Sequence, residues 1–548
     1  MMGDLQMLIV ICLFFYVNLS HQKTTPNHPY YVAGVVEFSP TENGIGSESI
    51  LEQVEGIREI LETSFEEEPD IIVFPEHILF KEVTTYIPDP KENIVPCEQL
   101  DFDYVLTELS CLARMSGKYI VININEKALC SKEDKCPQGT LNYNTNVVFD
   151  RSGAVVSKYR KSHLYWKEVY NKHASNPETQ TFTTDFGVTF GHFICFDLMF
   201  YSPAQELVDS GVTDFIYPTY WFQEFPFLTA LQLHQGWAHG NNVNFLSAGG
   251  SFPSKRNTGS GIFAGEYGAL ASIISDTPVR KIIVARVPKK TAKNAFIPKM
   301  KEEPVLDYSN GIPNRLSNIA WKRDYNVDLF ASELLNTSKN YEDHSLCHNN
   351  FCCSFSLSFR AKPSNSVNQL RKYAYRIGVY EGPGTLQRME KTEFGICTIM
   401  ACTKTGLWSC GNIFTGPEPV GNDFEFVNIT IKGDYKKRDR ILVMPSTVDS
   451  AFQPLPVDSY KYSRTDNGDD DGDSEEIKNT VTYEISLNRP RYDIITFGLY
   501  GNYYVDTKSL HNYREEEGKS LGSKNVADIH SSNFLAVLLV AFAVLVGY

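Results

Sequence analysis

Basic residues are scarce relative to acidic ones: 51 Lys and Arg against 66 Asp and Glu leave a formal charge of −15, with no general electrostatic footprint for nucleic acid or anionic lipid. No Cys-x-x-Cys occurs, and none of the 12 histidines opens a His-Glu-x-x-His helix motif, so zinc is disfavoured. No internal repeat is evident, and neither terminal apolar run reaches the roughly 20 residues of a membrane-spanning helix. What is present is ordinary for a globular protein. The chain has 548 residues, 42% hydrophobic, 13% aromatic and 21% charged, which excludes wholesale disorder, collagen-like sequence and coiled coil. At about 150 residues per domain it holds about two to four domains. The 36 Gly and 27 Pro point to many turns between short elements.

Both ends carry processing signals. Met7–Val17 is an apolar run of signal-peptide length followed by a polar stretch, which predicts a leader over residues 1–20 and secretion. Phe534–Tyr548 is apolar to the terminus, with no basic stop-transfer residue after it. Small residues at Gly522 and Ser523 and a polar spacer, Lys524–Asn533, precede that tail, the layout of a GPI-anchor signal with its ω-site at Gly522 or Ser523. A short tail-anchor helix is the alternative. The expected location is the extracellular face of the cell membrane, through a GPI lipid anchor, and sequons at Asn336 and Asn428 agree with it.

Twelve cysteines are present, and loss of the leader removes Cys12. The remaining odd number predicts five disulfides and one leftover thiol in an oxidising compartment. Ten of them fall in two clusters, Cys97 to Cys136 and Cys347 to Cys410, and Cys195 stands alone between. Cys195 is the candidate free thiol.

Strand and helix patterns alternate through the first half. Strands are predicted at Tyr31–Phe38, Asp70–Phe74, Tyr119–Ile124, Val188–Cys195, Phe215–Tyr217 and Phe245–Ala248. Helices are predicted at Ser47–Phe65, Tyr104–Met115, Pro203–Asp209 and Leu228–His239. Val147–Phe149 and Val155–Tyr159 flank a Ser152-Gly153 turn as a hairpin. This is an α/β domain. After about residue 330 cysteines cluster and alternating runs such as Phe355–Phe359 appear, which predicts a second, β-rich domain. The acidic run Asp466–Glu476 begins like a calcium loop, but Lys478 stands where the closing Glu belongs, so a solvated loop is expected. Gly518–Gly522 spells Gly-x-Ser-x-Gly in a polar tail with no strand before it, and carries no chemistry.

Three reactive side chains sit at predicted strand ends, where open α/β sheets build their sites: Glu76 after Pro75, Lys161 after the hairpin, and Cys195. A thiolate at Cys195 would be held by the lysine's charge, with a backbone N–H such as that of Phe196 available to a developing oxyanion. His192 lies three residues before Cys195, and odd spacing on a strand puts the two on opposite faces, which counts against a papain-like pair.

The runs DIIVFPE (Asp70–Glu76), KYRKSHLY (Lys158–Tyr165) and GHFICFDLMF (Gly191–Phe200), in this order, resemble the three catalytic blocks of the carbon-nitrogen hydrolase (nitrilase) superfamily. NYNTNVVFDRSG (Asn142–Gly153), YPTYW (Tyr217–Trp221), VNFLSAG (Val243–Gly249) and TGSGIF (Thr258–Phe263) narrow the similarity to its vanin and biotinidase branch. The resemblance implies an α-β-β-α sandwich over residues 29–330, a Cys-rich β-rich domain over 331–512, and a spacer with the anchor signal over 513–548. It also implies hydrolysis of a linear amide in which Glu76 is general base and acid, Lys161 stabilises the tetrahedral intermediate and Cys195 is the nucleophile. Glu168 resembles an additional glutamate that positions substrate, although Trp166-Lys167 departs from the Met-Gly of the branch. Phe196, Tyr220 and Trp221 are expected to line the pocket, and Tyr220, in place of an Ala, to make it smaller. No metal or organic cofactor is implied.

The expected activity is pantetheinase-like, with a small amide as partner. A biotinidase-like amidase and a catalytically weak cell-surface binding protein on the same fold are the alternatives.

Overall fold

In the computed structural model the described residues are 23–504, except 41–46, 80–83, 131–135, 137–138, 166–167, 169–178, 293–295, 299–315, 317, 362–370, 387–389, 417 and 467–478. The leader, the tail with Gly522 and Ser523, nearly all of the acidic run and Gly518–Gly522 lie outside them.

Two six-stranded sheets form the centre of the first domain. One is ordered β13-β1-β2-β3-β4-β5, from β1 (Tyr30–Phe38), β2 (Ile71–Val73), β3 (Tyr119–Leu129), β4 (Thr140–Phe149), β5 (Val155–Arg160) and β13 (Arg280–Pro288). The other is ordered β12-β11-β10-β8-β7-β6, from β6 (Thr181–Thr183), β7 (Thr189–His192), β8 (Asp214–Thr219), β10 (Asn244–Gly249), β11 (Ser260–Ala264) and β12 (Ala269–Ile273). β1, β2 and β3 run parallel, as do β7, β8 and β10. Strands buried on both faces explain the continuous apolar runs at Tyr31–Val36 and Ile71–Phe74. Val35, Val73, Val121, Ile216 and Leu246 meet between the sheets.

The outer face of the first sheet is covered by α1 (Ser47–Leu61) and α2 (Tyr104–Ser116), through Val54 and Ile57 and through Leu106 and Leu109. The second sheet is covered by α3 (Ala230–Asn241), whose Trp237 packs on Phe215 and Phe245. The expected nitrilase-type α-β-β-α sandwich is therefore present.

Several element ends differ from the sequence reading, each for a local reason. α1 stops at Leu61, where the Thr63 hydroxyl bonds back to Glu59 O at 3.2 Å and competes with the helix ladder. α3 starts at Ala230, because Glu224 and Leu228 exchange backbone bonds across a tight turn just before it. Only Glu206–Asp209 is α-helical in the region expected as Pro203–Asp209; Ser202, kept extended ahead of Pro203, breaks the approach.

The second half holds two five-stranded antiparallel sheets. The first is ordered β15-β18-β19-β24-β21: β15 (Ala331–Leu334), β18 (Ala374–Leu386), β19 (Glu390–Cys402), β21 (Ile441–Asp449) and β24 (Ile494–Tyr503). The second is ordered β16-β17-β20-β23-β22: β16 (Tyr341–His348), β17 (Phe351–Ala361), β20 (Phe424–Lys436), β22 (Tyr460–Asp466) and β23 (Thr480–Leu487). A separate two-stranded sheet pairs β9 (Glu224–Phe225) with β14 (Lys322–Arg323). Phe355, Leu357 and Phe359 point into the sandwich while the serines between them face outward, as alternation requires.

Among the described residues five disulfides pair Cys97–Cys111, Cys130–Cys136, Cys347–Cys352, Cys353–Cys397 and Cys402–Cys410, and Cys195 is left as a buried free thiol.

α3 is shared by both halves. Its Gly236 and Gly240 face β21, and a Cβ on Gly236 would lie 2.5 Å from Pro445 O. Gln232 Nε2 donates to Ser446 Oγ at 2.9 Å, and Gln235 Nε2 to Leu455 O at 2.8 Å.

Candidate active site

Cys195 does not end a strand. β7 stops at His192, two extended residues follow, and Cys195 opens a 3₁₀ turn, Cys195–Met199, in the left-handed region at φ 47°. A non-glycine residue there is strained and has to be held by its surroundings. Asp197 supplies much of that hold. Its carboxylate accepts the Ile194 N–H at 3.0 Å, the Tyr159 hydroxyl at 2.8 Å and the His163 N–H at 2.8 Å. The Tyr217 hydroxyl donates to Cys195 O at 2.7 Å from the other side. The turn thus lifts one side chain out of the sheet toward Glu76 and Lys161.

Glu76 and Lys161 follow the ends of β2 and β5 on the adjoining sheet, and each is only 1% exposed. Lys161 Nζ donates to Glu76 Oε1 at 2.7 Å and to Glu168 Oε1 at 2.6 Å. Asn144 Nδ2 donates to Glu76 Oε1 at 2.7 Å and to Glu168 Oε2 at 3.3 Å, and the Tyr220 N–H reaches Glu76 Oε2 at 3.0 Å. Glu76 is therefore held in a cage of donors. Asn144 is held in turn by Asn123, whose Nδ2 donates to Asn144 Oδ1 at 2.6 Å.

The electrostatics follow from this packing. Burial would lower Lys161, but Glu168, Glu76 and Cys195 hold it well above the usual lysine value, so it stays an ammonium. Burial would raise Glu168, but Lys161 and His77 bring it well below the usual carboxylate range. At Cys195, burial and the neighbouring Glu76 push the thiol up, and they outweigh Lys161 and the hydrogen bonds from Thr219 and Tyr220. The resting group is a neutral thiol.

Glu76, His77 and Glu168 place potential ligand atoms within 4.8 Å of one another. Lys161 Nζ already bonds both carboxylates, so a metal ion there would face a buried like charge.

A cleft opens beside the thiol, lined by Cys195, Phe196, Tyr220 and Trp221 and also by Tyr165, Met199, Phe222, Glu224, Leu228, Asp324, Asn326 and Phe394. Tyr220 is part of the wall through its ring and part of the Glu76 cage through its N–H.

His192 is engaged elsewhere. Its ring bonds Asn146 Nδ2 at 3.1 Å and Ser157 Oγ at 2.9 Å, and burial pushes it down to about 3. Asn336 is exposed and Asn428 half-buried on β20, both in the second half of the chain.

Sequence reasoning gave no role to Asn144, although a signal was there. Asn123 and Asn125 on β3, and Asn142, Asn144 and Asn146 on β4, recur with period two, which marks a polar face turned toward a site. For Asp324, Asn326 and Phe394 no local signal exists, because they reach the cleft from distant parts of the chain.

Residues 41–226 match the carbon-nitrogen hydrolase family, and residues 319–507 match the vanin C-terminal domain. Vanin-like protein 2 of Drosophila melanogaster is 37% identical over 548 residues, covering 94% of this chain and 98% of that protein. The pantetheinase of Homo sapiens is 30% identical over 442 residues, covering 77% of this chain and 82% of that protein. Among solved structures, Saccharomyces cerevisiae Nit3, of branch 10 of the nitrilase superfamily, overlaps 49% of this chain and 93% of its own, at 18% identity and a TM-score of 0.37.

Proposed function

The chain belongs to the vanin branch of the carbon-nitrogen hydrolases and is a hydrolase of non-peptide C–N bonds, and from that premise we propose that it cleaves pantetheine to pantothenate and cysteamine. The observation that carries the mechanism is the Lys161 ammonium bonded at 2.7 Å to Glu76, beside a cleft lined by the unpaired Cys195. Because the thiol rests neutral, a nucleophile arises only by proton transfer, and Glu76 is the base that takes the proton. The thiolate attacks the amide carbon while the carbonyl π electrons move to oxygen, where Lys161 meets the negative charge. Glu76 returns the proton to the amine nitrogen, the C–N bond breaks and cysteamine leaves. Water, deprotonated by Glu76, then attacks the thioester, and the acid departs as the thiol is re-formed.

Site of action is part of the proposal: the outer face of the cell membrane, on a GPI anchor joined at Gly522 or Ser523, after removal of residues 1–20, with glycans at Asn336 and Asn428. Release of surface activity by a phosphatidylinositol-specific phospholipase is the expected result, and retention would favour a tail-anchor helix.

The deciding test of the reaction is cysteamine release from pantetheine by the anchor-free protein, beside a Cys195→Ala control. Activity lost in the control supports both reaction and nucleophile. Turnover of a chromogenic biotinyl amide with pantetheine left intact would move the assignment to a biotinidase-like amidase. The free Cys195 counts against a purely binding protein.

A further inference from the structure

Glu37 is fully buried and takes no part in the acyl-transfer steps. It stands near the end of β1, and Glu76 follows the end of the adjacent parallel strand β2, the last pair between them being Val35↔Val73. In the facing sheet, residues 250–259 connect β10 to β11. Four donors of that loop and its edge meet on the one carboxyl. They are the hydroxyls of Ser251, Thr258 and Ser260 and the Gly259 N–H, the last two at 2.7 and 3.0 Å. Gly259 lies at φ 111°, backbone that favours glycine, and this turns its N–H onto the acid.

The same loop holds the back of the active site. The Gly250 N–H donates to Thr219 O at 3.2 Å, Asn257 Nδ2 to Trp221 O at 2.9 Å, the Gln223 N–H to Arg256 O at 2.8 Å, and the Gln223 side-chain amide to Thr258 O. Residues 219–223 are thus bonded at four points to the segment that Glu37 grips. Within them, the Tyr220 N–H donates to Glu76 Oε2 at 3.0 Å, and Thr219 and Tyr220 hydrogen-bond Cys195.

The protonation state of Glu37 decides how well the loop is held. A carboxylate accepts all four donors at once, whereas a protonated acid or an amide brings a donor of its own and turns one of them away. Burial, partly offset by the four bonds, raises this carboxyl to about 7. The charged groups of the packed elements are engaged elsewhere. Lys281, opposite Glu37 on β13, is exposed; Arg280 lies over Phe38, Lys255 over Phe252 and Arg256 over Phe222; Asp276 accepts from Asn318, and Glu76 from Lys161.

We propose that Glu37 is a positioning residue for amide hydrolysis: its carboxylate fixes the 250–259 loop, and through it the Tyr220 N–H that steadies Glu76 beside Cys195. The proposal rests on the reading of Glu76 as base and Cys195 as nucleophile, and not on which amide is cleaved.

The test compares wild type, Glu37→Gln and Thr258→Val in two measurements across pH, made well below the unfolding midpoint: kcat and KM for pantetheine, and the rate at which iodoacetamide alkylates Cys195. In wild type both kcat and alkylation are expected to rise through an inflection at about 7. At about pH 8, Glu37→Gln is expected to lower kcat by roughly 10-fold with KM little changed, to slow alkylation in proportion, and to lose the inflection. Thr258→Val, which removes one donor and leaves the acid, lowers kcat and keeps the inflection. A folded Glu37→Gln with wild-type kcat and alkylation overturns the proposal, as does a loss confined to KM or an inflection that persists without the acid. Should Glu37→Gln not fold, an unchanged kcat in Thr258→Val overturns it instead. A wild type that releases no cysteamine overturns the pantetheine assignment alone, and the alkylation rates still decide the role of Glu37.

Discussion

Asn144 is the residue whose removal separates positioning from chemistry. It touches no reacting bond in the proposed scheme, yet its amide spans Glu76 and Glu168 and leaves Lys161 to bridge the same two carboxylates. Asn144→Ala is expected to lower kcat by roughly 10- to 100-fold with KM little changed, since proton transfer depends on where Glu76 points. Steady-state kinetics with pantetheine read this out, together with the pH profile, which a merely structural role would leave in place. Equal losses in kcat and 1/KM would refute it. Glu76, Lys161 and Cys195 were readable as separate residues in short motifs because each follows a strand that the apolar pattern marks. The left-handed backbone at Cys195 was not readable, since it is imposed by Asp197, Tyr159 and Tyr217 from three different elements.

Among the elements, α3 carries a conflict between local propensity and packing. On an exposed helix, Gly→Ala gains about 1 kcal/mol. At Gly236 the added Cβ would meet Pro445 O at 2.5 Å, backbone that cannot swing aside. Overpacking of this kind costs roughly 1–3 kcal/mol, so Gly236→Ala is expected to destabilise, seen as a lower denaturant midpoint. A higher midpoint would mean that the seam between α3 and β21 is looser than the distance implies. The helix itself was legible from its period; the reason for its two glycines was not, because the partner strand lies some 200 residues further along. The same distinction runs through the second domain, where alternation in Phe355–Phe359 revealed a strand but could not reveal which strands it pairs with.

For the molecule as a whole, the joint between the two central sheets holds a buried acid whose titration reaches the stability of the fold. Glu37, near the end of β1, is fully buried and accepts hydrogen bonds from Ser260 Oγ at 2.7 Å and the Gly259 N–H at 3.0 Å in the facing sheet, and from Thr258. Burial, only partly offset by those bonds, raises it to about 7. A carboxyl that binds its proton more tightly when folded contributes stability below its unfolded value of about 4.5, and loses that contribution as pH climbs to about 7. The change is on the order of 3 kcal/mol. Glu37→Gln should therefore flatten the stability curve between those limits, measured by denaturant unfolding across pH, and an unchanged slope would place the effect elsewhere.

The cleft has an order of completion as well as a shape. Chains emerge N-terminus first and domains fold as they appear. The Cys195–Met199 turn is tied to the end of the second half, because Asn502 Nδ2 donates to Met199 O at 3.1 Å. The nucleophile's own support is therefore complete only once nearly all of the described chain has been made. A premature stop codon in the second half would loosen the setting of the thiol as well as remove part of the cleft wall.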